Sequence, residues 1–121
     1  MPSSVRDLGA ASVFEEGRPY RVELDGKALV LVRRGDRFFA LRDTCPHQGA
    51  RLSDGRVGGT ALECMPGDGI PYGRDGEILT CPWHGWEFEL GSGKCLVNPQ
   101  RVRVRSYRAW VEADRVLVDL G

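Results

Sequence analysis

Cys45-Pro46-His47-Gln48-Gly49 and Cys81-Pro82-Trp83-His84-Gly85-Trp86 are the two segments on which the reading of this chain turns. The first has the form C-x-H, the second C-x-x-H, and 33 residues separate His47 from Cys81. Together they hold both histidines of the chain and two of its four cysteines. Each segment offers one thiolate and one imidazole from a tight loop. Pro46 and Pro82 restrict the backbone between the paired residues. Gly49 and Gly85 let it turn closely behind them. Two such loops can grip a two-metal cluster from opposite sides, the cysteines on one ferric iron and the histidines on the other. A structural zinc is the alternative for two cysteines and two histidines. Zinc loops more often pair like with like, whereas each loop here is mixed.

Outward from these loops, the flanks read as strands. Tyr20, Val22 and Leu24 alternate with polar residues, and Asp25-Gly26 is a hairpin-type turn. Lys27 to Arg33 follows, then a turn at Arg34-Gly35-Asp36 and a return strand over Arg37 to Arg42. Near the end, Val102, Val104 and Ser106 alternate with Arg101, Arg103 and Arg105, and strands are expected there, at Ala109 to Glu112 and at Val116 to Leu120. Between Asp43 and Pro99 the chain turns rich in Gly, Pro and Cys, with short strand-like pieces such as Ile78 to Thr80 and Glu87 to Leu90. The expectation is an all-β base built from both chain ends, with a loop-rich middle. Loops on a rigid scaffold commonly carry function.

The gross numbers fit one domain over residues 1–121, with 17 basic and 17 acidic residues and a net charge near zero. Such a balance gives no reason to expect affinity for nucleic acid or an anionic membrane. The longest aliphatic run, Ala28 to Val32, is far short of a membrane span, and the start of the chain lacks a signal-peptide pattern. A cytoplasmic protein is expected. In such a setting cysteines more often ligate metal or lie buried than form disulfides; Cys64 and Cys95 are expected to be incidental thiols.

With those residues in view, the paired motif resembles the Rieske iron–sulfur family. The segment Cys81-Pro82-Trp83-His84-Gly85-Trp86-Glu87-Phe88 is especially similar to soluble Rieske ferredoxins and to the Rieske domains of ring-hydroxylating oxygenases. The resemblance runs from about Val5 to Leu120. It implies a Rieske fold of three antiparallel sheets, an all-β base with an inserted cluster-binding subdomain over about 43–99. It implies one 2Fe–2S cluster at one tip, held by Cys45, His47, Cys81 and His84, with both histidines near the surface. Neutral imidazoles in place of two thiolates raise the potential above that of an all-cysteine cluster.

The implied role is a one-electron carrier, fed by a flavin reductase and delivering to an oxygenase. The runner-up is a small Rieske subunit of a larger reductase, such as an assimilatory nitrite reductase. With both histidines committed, none is left for a mononuclear oxygenase iron. High-potential members place a serine two residues after the second histidine and a tyrosine four after it; here Trp86 and Phe88 stand there. They also tie the loops with a disulfide at positions held here by Ala50 and Trp83. A potential at the low end of the family range is therefore expected, roughly −150 to 0 mV. The spacer is about twice that of compact members, so residues 53–79 read as an insertion. With seven glycines and five acids against two bases, it is expected to be a surface flap that helps select the redox partner. Arg101, Arg103 and Arg105 read as a solvated face, with a docking patch for an acidic partner as the alternative.

Overall fold

The structure is a computed structural model that describes residues 4–46, 49–61, 72–82, 85–96, 100 and 102–121, with the side chains of 59–61 and 72–75 outside the description. Its strands are β1 (Val5–Ala10), β2 (Tyr20–Leu24), β3 (Lys27–Arg34), β4 (Arg37–Arg42), β5 (Arg56–Ala61), β6 (Tyr72–Thr80), β7 (Glu87–Glu89), β8 (Ser106–Glu112) and β9 (Arg115–Asp119). Two short 3-10 turns, Ala11–Val13 and Leu52–Asp54, are the only helical elements among the described residues. A nearly barrel-shaped antiparallel sheet runs β1-β9-β8-β4-β3-β2, and a smaller sheet runs β5-β6-β7. The larger sheet has two parts, β1-β9-β8 and β8-β4-β3-β2, which share β8; with β5-β6-β7 these are the three antiparallel sheets expected. Ala40 pairs with Tyr107 and Leu41 with Ser106, and those two pairs join the halves of the base.

Turn chemistry sets the meander. Asp25 and Gly26 both take positive φ between β2 and β3, as do Ala113 and Asp114 between β8 and β9, which suits the twist of two-residue hairpins. β3 is the central divider. Leu29, Val30, Leu31 and Val32 are all buried, and successive side chains of a strand point to opposite faces. Leu29 and Leu31 enter a core with Phe14, Phe38, Ala40, Val116 and Val118. Val30 and Val32 enter a second core with Leu41, Leu52, Leu79, Phe88, Leu90 and Val104. That second core also contains Cys45, Cys81 and Cys95.

The alternation at residues 101–106 misleads. The strand begins only at Ser106. Among the described residues before it, Val102 accepts from the Cys95 N–H, Val104 donates to Gly93 O and Arg105 accepts from the Arg42 N–H. Two of these bonds flank the antiparallel Lys94–Arg103 bridge and the third goes to β4, so the segment runs extended between two partners without joining one ladder. β1 and β5 carry no alternation in sequence; each has a register shift, between Asp7 and Gly9 and between Gly58 and Thr60. The described ends of the segment 53–79 are strands, with Ile78 and Leu79 wholly buried. Only its middle, 62–71, lies outside the described residues.

Two carboxylates fasten β1 to its neighbours. Arg115 hydrogen-bonds Asp7 and the Gly9 N–H adds to it, while Ser4 Oγ and the Gly121 N–H donate to Asp119. These donors hold both carboxyls below the ordinary carboxylate range, the Arg115 bond leading for Asp7 and the Ser4 bond for Asp119. A depressed folded-state pKa stabilises above the unfolded value, and that contribution is lost as pH falls through the folded one. Protection from amide exchange, taken relative to the intrinsic rate, should therefore fall along β1 and β9 below about pH 4 ahead of β3 and β4; an equal fall in all four strands would contradict this.

Candidate metal centre

The two cysteine loops leave different elements and fold alike. The first follows β4, the second follows β6. The Cys45 N–H donates to Ala50 O at 2.8 Å and the Cys81 N–H donates to Trp86 O at 2.7 Å. In both, the cysteine amide thus reaches the carbonyl five residues on. In both, the glycine four residues on turns the chain, Gly49 at φ 73° and Gly85 at φ 68°; a Cβ there would be strained. The proline after each cysteine has no amide proton to leave unsatisfied in so tight a turn.

The thiols are buried to the same degree, Cys45 at 1% and Cys81 at 2%. They share one apolar core, with Ala50 and Trp86 packed against it. Trp86 therefore sits under its loop as a packing residue. His47 and His84 lie outside the described residues, as do Trp83 and Cys64. Cys95 is buried in the same core at 1%, but it lies in no such loop: it bridges Phe88 and its amide donates to Val102 O.

One feature of the site escaped sequence reasoning. Asp43, two residues before Cys45, is the one buried charged residue among those described, at 2%. Arg21 Nη1 donates to Asp43 Oδ2 at 2.8 Å, Ser53 N donates to Oδ1 at 2.7 Å and Ser53 Oγ to Oδ2 at 2.5 Å. The carboxylate raises the pKa of Arg21, first through that hydrogen bond. Its own amide donates to Ala28 O. The clamp ties β2, the start of β3 and the Leu52–Asp54 turn to the root of the first loop. On the other flank, Gly55 passes so close to Thr80 that a Cβ would lie 1.9 Å from the Thr80 carbonyl oxygen. Thr80 immediately precedes Cys81, so the chain after that turn also abuts the second loop.

The donor set fits an iron–sulfur cluster: two buried thiols on matched loops, rising from one apolar floor. The Rieske [2Fe-2S] domain profile matches residues 4–78 and 67–108. This chain belongs to the Rieske family. The ferredoxin component of the naphthalene 1,2-dioxygenase system of Pseudomonas putida is 30% identical over 112 residues, spanning 93% of this chain and 91% of that protein. A chain in the complex of reduced oxygenase and oxidized ferredoxin of carbazole 1,9a-dioxygenase superposes with a TM-score of 0.75 at 28% identity, covering 99% of this chain and 96% of its own. A Mycobacterium tuberculosis chain assigned as the small subunit of an NADH-dependent nitrite reductase gives a TM-score of 0.74 at 30% identity, over 94% and 92%. As a Rieske protein this chain carries one 2Fe–2S cluster, and the all-β fold is the family's.

Proposed function

We propose that this Rieske protein is a ferredoxin component of a multicomponent oxygenase system, taking one electron from a flavin reductase and passing it to an oxygenase in the cytoplasm. Its ligands in this reading are Cys45, His47, Cys81 and His84, and residues 1–121 act as one unit with the cluster-bearing part at 43–99. The observation that carries it is the pair of matched loops, each presenting a buried thiol from a common core. The full-length likeness to a dioxygenase ferredoxin supports the choice of system.

When bound, the cluster supplies a reversible one-electron couple. The chain's own residues supply the rest. The core beneath the two cysteines excludes water from one side, since Leu52, Leu79 and Phe88 are wholly buried there. The backbone bonds from the cysteine amides to Ala50 and Trp86 fix the loops, so little need move when the charge changes. Phe88 brings no hydroxyl into that core, which leaves more negative charge on sulfur and favours a low potential. None of the described helices is long and apolar enough to cross a membrane.

Purified protein should hold about two irons and two labile sulfides per chain, give the mixed-ligand electron paramagnetic resonance signal on reduction, and titrate below roughly 0 mV. Stoichiometric zinc without sulfide would defeat the reading. A potential above roughly +150 mV would move the protein to quinol-linked chemistry. The nitrite-reductase reading is favoured by the Mycobacterium tuberculosis likeness; tight co-purification with a large reductase subunit, and no turnover with a flavin reductase and oxygenase, would select it.

A further inference from the structure

Three cations from three adjacent strand ends line one cavity beside the first cysteine loop. Lys27 opens β3, Arg42 closes β4 and Arg105 leads into β8; with Thr44 and Tyr107 they line a cavity of about 280 Å3. Strand pairing brings them together. Leu29 is the register partner of Arg42, and the Arg42 N–H donates to Arg105 O at 2.9 Å on the other side. All three side chains belong to exposed residues. The Arg105 guanidinium lies 4.9 Å from the Tyr107 ring centre, which fixes its direction.

No carboxylate lines the cavity. Among the described residues none of the three cations forms an ion pair; the acids of the adjoining hairpin line a neighbouring cavity with Lys27, where Glu23 shares Arg21 with Asp43 and Asp25 pairs with Arg6. A chain of zero net charge thus gathers three cations around one cavity. Such clustering raises the local potential and accelerates encounter with an opposite charge. The place matters. Thr44 lines the cavity and adjoins Cys45, and Arg42 is three residues from that cysteine, at most about 11 Å along an extended chain. The volume suits one or two side chains rather than a cofactor, whose pockets usually run to about 300–1,000 Å3.

We infer that this cavity is the docking point for an acidic face of the redox partner, seating partner carboxylates on Lys27, Arg42 and Arg105 next to the first cysteine loop. The inference rests on the electron-carrier reading above, and deepens it by naming the partner's chemistry. It is tested with the cluster-loaded, reduced protein as electron donor to two protein probes, the acidic copper protein plastocyanin and the basic haem protein cytochrome c. Transfer to plastocyanin should be faster at low salt and slow as salt rises. The triple variant Lys27→Glu, Arg42→Glu, Arg105→Glu should slow it about tenfold or more and speed transfer to cytochrome c, with an unchanged visible spectrum. Should the triple variant fail to fold, the single variants Lys27→Ala and Arg42→Ala should each slow plastocyanin about two- to threefold. Unchanged plastocyanin rates in these variants overturn the docking point. So does calorimetric binding of inorganic phosphate tighter than about 1 mM, which makes the cavity a small-anion site. Protein that holds no reducible cluster overturns the carrier reading instead.

Discussion

Arg21→Ala should lower the stability of the cluster-loaded protein, because it strips a buried carboxylate of its cation. The Asp43 side chain has no exposure while that of Arg21 keeps 28%. The variant therefore leaves a fully buried carboxylate supported only by the two donors of Ser53. Water reaching the vacated position offsets part of the loss. Asp43→Asn should cost less, about 1–2 kcal/mol, because the amide oxygen still accepts from Ser53. Removing both partners should cost less than the two single losses together, since no charge is then buried. Urea midpoints by circular dichroism on protein with its cluster intact decide the matter. An Arg21→Ala midpoint within about 0.5 kcal/mol of wild type would mean the pair contributes nothing.

Cys45→Ser and Cys81→Ser should each yield colourless protein with little iron, whereas Cys95→Ser should stay red-brown with about two irons. Burial alone cannot separate the three, as all are exposed by 2% or less within one core. Backbone context separates them. Cys45 and Cys81 head loops closed by the same five-residue amide bond, and Cys95 sits in an extended bridge. Burying a serine hydroxyl at 95 costs about 1–3 kcal/mol, so that variant should be less stable yet loaded. Iron loss in freshly purified Cys95→Ser would overturn this distinction.

Much of the fold was legible because its signals are local. The meander from Tyr20 to Arg42 combines period-two apolar spacing with turn residues that accept positive φ, and both operate over a few positions. The cysteine loops were legible for the same reason: Pro one residue and Gly four residues after each cysteine describe one turn. What stayed hidden depends on distant partners. Asp43 reads as an ordinary loop residue until Arg21 and Ser53 meet it. The arginine alternation at 101–106 mimics a strand because extended backbone alternates side chains whatever its hydrogen bonds do. β1 and β5 bend through register shifts, which erase the period that would reveal them. Lys27, Arg42 and Arg105 are scattered in sequence and converge only through strand register.

The matched loops also bear on how the chain holds together in time. Cys81 stands 36 positions after Cys45, and on the proposed ligation both grip the same inorganic unit. That unit then acts as a staple across the two sheets, one end rooted behind β4 and the other behind β6. Closing a chain loop of that length removes unfolded-state entropy equivalent to about 4 kcal/mol when the link is covalent. Metal ligation adds its own affinity to folding. Because both sulfurs are buried in the shared apolar core, loss of colour on storage should track local unfolding of the two cysteine loops.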